Sequence, residues 1–171
     1  MTLANKITLL RISFIPLIAL VLLLPSIPYN MLIAALLFFV IALTDLIDGY
    51  VARKLGEVTD LGKVFDPLAD KLLVTVILLC LVELRTVSAI PVMIIVFREL
   101  LILGIRIVAG SHGKIIAASL GGKWKTVFQD AAVLMLILNV PYGVLVFWTS
   151  VVLTVTSGLE YAVRSWGVIN G

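Results

Sequence analysis

Residues 44–71 read TDLIDGYVARKLGEVTDLGKVFDPLADK and place Asp45, Asp48, Asp66 and Asp70 within a chain that is 62% hydrophobic and 13% charged. An ionised carboxylate in so apolar a context is costly unless water, a counter-charge or a metal meets it. The centre of the stretch, RKLGEVTDLGK, is polar and carries two glycines, so it reads as a turn between two apolar helices. Asp45 and Asp48 then close one helix and Asp66 and Asp70 open the next. Spacings of i,i+3 and i,i+4 put each pair on one helix face, and a turn between adjacent helices brings the pairs opposite each other. Four facing carboxylates repel unless a cation lies between them. Oxygen ligands with no His or Cys nearby suit Mg²⁺ or Mn²⁺, and two ions would balance the four charges. Gly49 and Gly62 leave room for a ligand or a neighbouring helix. A lone D-x-x-D at a helix end usually means a solvated face; two pairs flanking one short loop do not.

Outward from this stretch the chain remains apolar. Its mean hydropathy of +1.22 predicts an all-α polytopic membrane protein, and its 171 residues form a single integral-membrane domain, 1–171. Crossing about 30 Å of hydrocarbon takes roughly 20 helical residues. Six transmembrane helices fit, at about 9–27, 30–53, 66–84, 87–109, 123–140 and 142–164. The turns between them carry breakers, as in PSIPYN and NVPYG. The apolar run from Ile12 to Pro28 is 17 residues long and no small-x-small cleavage site follows, so it reads as a retained first span rather than a secretory signal. Cys80 is the single cysteine, which excludes an internal disulfide.

Basic residues set the sidedness. With six spans, Lys6, Arg11, Arg53, Lys54, Lys63, Lys71, Arg106, Lys114, Lys123, Lys125 and Arg164 lie at or near one side, while Arg85 alone lies in an opposite loop. The positive-inside rule makes the rich side cytoplasmic. The expectation is a multi-pass protein of the cell membrane with both termini and the aspartates on the cytoplasmic side.

The segment DLIDGYVAR, then eight residues, then GKVFDPLAD fits D-x-x-D-G-x-x-A-R-x8-G-x-x-x-D-x-x-x-D, with Asp45, Asp48, Gly49, Ala52, Arg53, Gly62, Asp66 and Asp70 at the fixed positions. This pattern resembles the signature of the CDP-alcohol phosphotransferases. The resemblance implies a six-helix membrane enzyme, generally a homodimer, that cleaves the pyrophosphate of a CDP-linked lipid or alcohol. It implies that Asp45, Asp48 and Asp66 hold the metals, and that Asp70 is the general base and touches the second metal. It also implies a nucleotide pocket for the donor made by Asn5, Thr8 and Arg11, from NKITLLR, with Gly49, Arg53 and Thr59. From its residues alone, Arg53 can grip phosphate oxygens bidentately, whereas Arg11 reads equally well as an interface arginine that snorkels. The chemistry is consistent: two metals can clamp the attacking and leaving oxygens at phosphorus, and a carboxylate can take a proton from an alcohol. His112, the single histidine, lies in a Gly-rich loop and reads as solvated, so no Ser–His–Asp or Cys–His set competes.

The second half bears on the acceptor. FRELLILGIRIVAG sets Arg98, Glu99 and Arg106 in an otherwise apolar span, and GKWKT adds Lys123 and Lys125 where the fifth helix begins. Cations converging beside a metal site suit an acceptor that carries its own phosphate, which an uncharged alcohol would not require. This half resembles the branch of the family that uses CDP-diacylglycerol as donor and sn-glycerol 3-phosphate as acceptor. The implied products are phosphatidylglycerophosphate and CMP, with Arg98, Arg106, Lys123 and Lys125 on the acceptor phosphate. The partners expected are these two substrates, membrane lipids and a second copy of the chain, with no nucleic acid. Asp130 has no assigned role, and Trp124, Trp148 and Trp166 read as interface or packing residues.

Other readings make different demands. A cardiolipin or phosphatidylinositol-phosphate synthase of the same family would differ in the acceptor. A divalent-cation transporter would need ligands near the bilayer midplane and a path to both sides, whereas these acids cluster at one end. A structural scaffold gives no reason for so costly a cluster.

Overall fold

The computed structural model describes the backbone of residues 3–55, 60–111 and 119–169, and the side chains of residues 8–44, 67–110 and 119–165. Among the described residues the chain forms no strand and six α-helices: α1 (Leu3–Leu23), α2 (Asn30–Leu55), α3 (Asp60–Glu83), α4 (Ala89–Ser111), α5 (Leu120–Ile137) and α6 (Gly143–Ile169). The all-helical expectation holds, and the boundaries move. α1 begins at Leu3 and ends at Leu23, before a turn containing Pro25 and Pro28 in which the Ile27 N–H reaches back to the Leu24 carbonyl at 3.2 Å. α3 begins at Asp60 rather than 66, so Asp66 stands inside the helix and not at its opening. Its first turn is too polar for a search based on apolar runs to count as helix.

Two compact units divide the chain, residues 1–84 and 85–171. In the first, α1 packs against both α2 and α3. Ile15, Ile18 and Leu22 of α1, Ala34, Ala35 and Phe38 of α2, and Leu73, Ile77 and Leu81 of α3 are its buried core. The Asn30 side chain ties α2 to the end of α1 by donating from Nδ2 to the Leu22 carbonyl at 3.2 Å, one of the helix-end carbonyls that lack an intrahelical partner.

In the second unit, α6 packs against α4 and α5. Val92, Ile95, Val133, Leu136, Ile137, Phe147 and Val151 are buried there. α5 ends in a Schellman motif. Asn139 adopts φ 51°, its N–H meets the Leu136 carbonyl at 3.2 Å, and the Val140 N–H meets the Met135 carbonyl at 2.9 Å. Gly143 then opens α6 so close to α5 that a Cβ there would lie 3.3 Å from the Met135 backbone carbon.

α6 is polar on its inner face and apolar on its outer one. Ser150, Thr154, Ser157, Tyr161 and Ser165 are buried, while Leu145, Trp148, Val152, Val155 and Leu159 are exposed. The buried serine and threonine hydroxyls donate to carbonyls of the preceding turn, for example Thr154 Oγ1 to Ser150 O at 2.7 Å and Ser165 Oγ to Tyr161 O at 2.7 Å. α4 likewise exposes Ile90, Met93, Phe97, Leu100 and Leu101 and buries Glu99. A helix surrounded by water has the opposite arrangement; lipid around the protein explains this one. Among the described residues, Gly143–Ser165 is the one helical stretch long and apolar enough by itself to cross a bilayer, and Thr8–Leu23 and Asn30–Thr44 are apolar but shorter. Charges interrupt the apolar character elsewhere: Lys71 in α3, Arg98, Glu99 and Arg106 in α4, and Lys123, Lys125 and Asp130 in α5.

Candidate active site

The first unit carries the aspartates. Asp45 and Asp48 fall on α2, Asp66 and Asp70 fall on α3, and these two helices touch. The side chains of Asn5, Asp45, Asp48, Arg53 and Asp66, and Gly49 with them, lie outside the described set, and Thr59 lies outside the described residues altogether. With three of the four aspartates excluded, no cluster of three metal-donating side chains occurs among the described residues. Asp70 is half-buried with its side chain 30% exposed, and Oδ2 accepts from Lys71 Nζ at 2.7 Å. The acidic residues that the sequence places on α2 and α3, Asp45, Asp48, Asp66 and Asp70, supply carboxylate oxygens, with no histidine beside them. Cys80 lies buried towards the far end of α3. Such a set fits a hard divalent cation.

On α1, Thr8 and Arg11 are both buried, at 2% and 6% exposure. Three residues apart, they share a face. A lipid-facing arginine that snorkels would be exposed on the bare protein, so burial removes that reading of Arg11.

The second unit carries the cations, and it treats the four candidates differently. Arg98 and Lys125 converge on one carboxylate. Glu99 Oε1 accepts from Arg98 Nη1 at 3.0 Å and from Lys125 Nζ at 2.5 Å, and the Glu99 and Lys125 side chains are 3% and 2% exposed. Arg98 Nη2 donates in addition to Ser157 Oγ of α6 at 3.1 Å. The guanidinium can lie there because residue 158 is glycine: a Cβ at Gly158 would come within 3.0 Å of Arg98 Cγ. Arg106 is exposed and sits with Cζ 5.6 Å above the centroid of the buried Tyr161 ring, a cation–π contact. Lys123 is exposed and, two residues from Lys125, belongs to another face of α5. Buried without a hydrogen-bond partner are Gln129 Oε1, one turn beyond Lys125, and the Tyr161 hydroxyl. Each is a cost that a polar ligand or water would relieve.

Ser157, Gly158 and Tyr161 escape a search of the sequence for charges. A signal exists in the spacing of Ser150, Thr154, Ser157, Tyr161 and Ser165, which places one polar stripe along an apolar helix.

The start of α5 is fixed by Ser119, an N-cap with φ −71° and ψ 158° whose Oγ accepts from the Gly122 N–H at 3.1 Å. Ser119→Ala is expected to cost about 1 kcal/mol, read as a lower thermal midpoint of the detergent-solubilised protein. An unchanged midpoint would mean that packing of Gly121 against Ser157 holds this end without the cap.

Residues 1–156 match the CDP-alcohol phosphatidyltransferase family. The chain belongs to this family. Its members are transferases that generally depend on a divalent metal, in keeping with the carboxylate set on α2 and α3. Among curated relatives, the CDP-diacylglycerol–glycerol-3-phosphate 3-phosphatidyltransferase of Bacillus subtilis is 41% identical, with 96% of this chain and 95% of that protein covered. Proteins of the same name from Rickettsia bellii and Wigglesworthia glossinidia brevipalpis are 36% and 33% identical, each over 93% of this chain and 92% of their own length. Similarity to this family therefore takes in both units, and with the outward apolar faces of α4 and α6 it makes the chain a membrane protein.

Proposed function

We propose that this protein is a phosphatidylglycerophosphate synthase. It transfers the phosphatidyl group of CDP-diacylglycerol to sn-glycerol 3-phosphate and releases CMP. The observation that carries the reading is similarity at 33–41% identity, through 93–96% of the chain, to transferases named for this donor and acceptor. The partly buried Arg98 and the buried Lys125, both held at Glu99, support it, because cations gathered within an apolar unit suit an acceptor that carries its own phosphate.

In this reading residues 1–171 are one catalytic membrane domain with six spans, and the basic residues support a cytoplasmic active site with both termini on that side. The protein works as a homodimer. Asp45, Asp48, Asp66 and Asp70 would hold Mg²⁺ or Mn²⁺, two ions in all. When bound, the ions neutralise charge on the pyrophosphate and on the leaving CMP. Asn5, Thr8, Arg11, Gly49, Arg53 and Thr59 bind the nucleotide of the donor. Arg98, Arg106, Lys123 and Lys125 draw in and orient the acceptor phosphate. Asp70 takes the proton from the free primary hydroxyl of the acceptor. That oxygen forms a bond to the phosphorus bearing diacylglycerol, and the bond from this phosphorus to the bridging oxygen of CMP breaks. Little covalent work falls to the protein, so positioning and charge account for most of the rate.

The test is a product assay on the purified protein with CDP-diacylglycerol and a panel of alcohols. CMP release with sn-glycerol 3-phosphate, and not with glycerol or inositol, is expected. Release with inositol phosphate or phosphatidylglycerol in its place would move the protein to a sister activity of the family. No release with any alcohol, together with divalent-cation flux in vesicles, would favour a transporter.

A further inference from the structure

We infer that Tyr161 is a positioning residue for the acceptor: its buried ring on α6 is the platform that holds the Arg106 guanidinium of α4 in place, with its N–H donors free for the acceptor phosphate. The inference rests on the functional reading above and adds to it the residue that sets one of the phosphate-binding cations.

Arg106 stands in the last two turns of α4 and is exposed. A long exposed side chain samples many rotamers, whereas two parallel N–H bonds to a phosphate require one orientation of the guanidinium. Something must therefore hold it. Arg98 is held by its own hydrogen bonds, Nη1 to Glu99 and Nη2 to Ser157. Arg106 is held in another way. Its Cζ lies 5.6 Å from the centroid of the Tyr161 ring, and among the described residues it makes no hydrogen bond or ion pair. A ring face attracts the cation without supplying an oxygen to its N–H groups, so the five donors of the guanidinium stay available to an anion.

The platform is fixed by packing. Tyr161 is 3% exposed, and α6 packs against α4. Glu160, the carboxylate next to it in sequence, pairs with Arg164 Nη2 at 2.7 Å. Ser157 and Tyr161 are one turn apart on α6, so one face of that helix steadies Arg98 through a hydroxyl and Arg106 through a ring. The Tyr161 hydroxyl itself is buried without a partner. The contact to Arg106 is made by the ring, and the ring is what the site requires.

The experiment uses the full chain in mixed micelles, with saturation curves for each substrate at two fractions of anionic lipid. Tyr161→Leu is expected to raise the KM for sn-glycerol 3-phosphate about three- to thirtyfold, the worth of a cation–π contact, and to leave the KM for CDP-diacylglycerol unchanged. Tyr161→Phe restores the ring and is expected to bring the acceptor KM back to within about twofold of wild type. The double variant Tyr161→Leu with Arg106→Met is expected to be no worse than Arg106→Met alone, because Tyr161 acts through Arg106. An unchanged acceptor KM in Tyr161→Leu, an equal rise for both substrates, no rescue by Tyr161→Phe, or additive losses in the double variant would each overturn the inference. So would a Tyr161→Leu defect that appears only as a changed response to anionic lipid, since Arg106 would then serve headgroup phosphates instead of the acceptor. If Tyr161→Leu does not fold, the same split between the two KM values is read on Tyr161→Met, whose flexible side chain fills the space without a ring. A wild-type protein that releases no CMP with sn-glycerol 3-phosphate would overturn the functional reading and this inference with it. An active wild type with an indifferent Tyr161→Leu overturns the inference alone.

Discussion

Chelation of divalent cations is expected to bring CMP release to background, and added Mg²⁺ or Mn²⁺ to restore it. The expectation rests on Asp45 and Asp48 on α2 and Asp66 and Asp70 on α3, two helices in contact. Carboxylates gathered in an apolar chain repel one another and are poorly solvated, and a divalent ion removes both costs. Such ions contribute several kcal/mol of charge stabilisation to phosphoryl chemistry. At about 1.4 kcal/mol per decade, Asp45→Asn, Asp48→Asn and Asp66→Asn are each expected to lose about 100-fold or more in turnover while the protein still inserts in the membrane. Titrating metal back into the chelated protein then separates Mg²⁺ from Mn²⁺ by the concentration each needs. Full activity in metal-free buffer would end the metal reading of the four aspartates.

Asp70→Asn is expected to lower turnover by roughly 10²–10⁴, the usual contribution of a general base. Asp70 is the last carboxylate of the signature, one turn beyond Asp66 on α3, and its half-buried side chain is 30% exposed. Lys71 Nζ donates to Oδ2 at 2.7 Å and orients the group. Asparagine keeps the shape and cannot accept the proton. Binding of CDP-diacylglycerol is therefore expected to persist where turnover is lost, measured as retained donor affinity in the inactive variant. Normal turnover by Asp70→Asn would require another base, and equal loss of donor binding would assign Asp70 to holding metal alone.

These two predictions stand on residues that the sequence exposes without help. A carboxylate in an apolar helix is conspicuous because its cost is local, and the spacing of Asp45, Asp48, Asp66 and Asp70 follows from the helical repeat alone. The helical class is legible for the same reason: long apolar runs separated by Pro- and Gly-bearing turns leave few other structures. The boundaries of α3 are less so. Its polar first turn, from Asp60, has no apolar run to announce it, and it takes backbone hydrogen bonding to carry the helix past Gly62.

The acceptor side divides differently. The sequence determined that Arg98, Arg106, Lys123 and Lys125 stand in or beside apolar helices and that Glu99 accompanies them. Tertiary structure decided which of them meet. Arg98 and Lys125 are 27 residues apart in the chain and share one oxygen of Glu99, whereas Arg106 turns to Tyr161 and Lys123 to the surface. Nothing in the spacing forecasts this. The pairing depends on α6, a helix without a cation in the cluster, whose Ser157 accepts from Arg98 and whose Gly158 makes space for its stem. Charge and helical register are written in neighbouring residues, and so they can be read in order along the chain. A shared counter-ion depends on how three helices approach one another, which is fixed by packing between residues far apart in sequence.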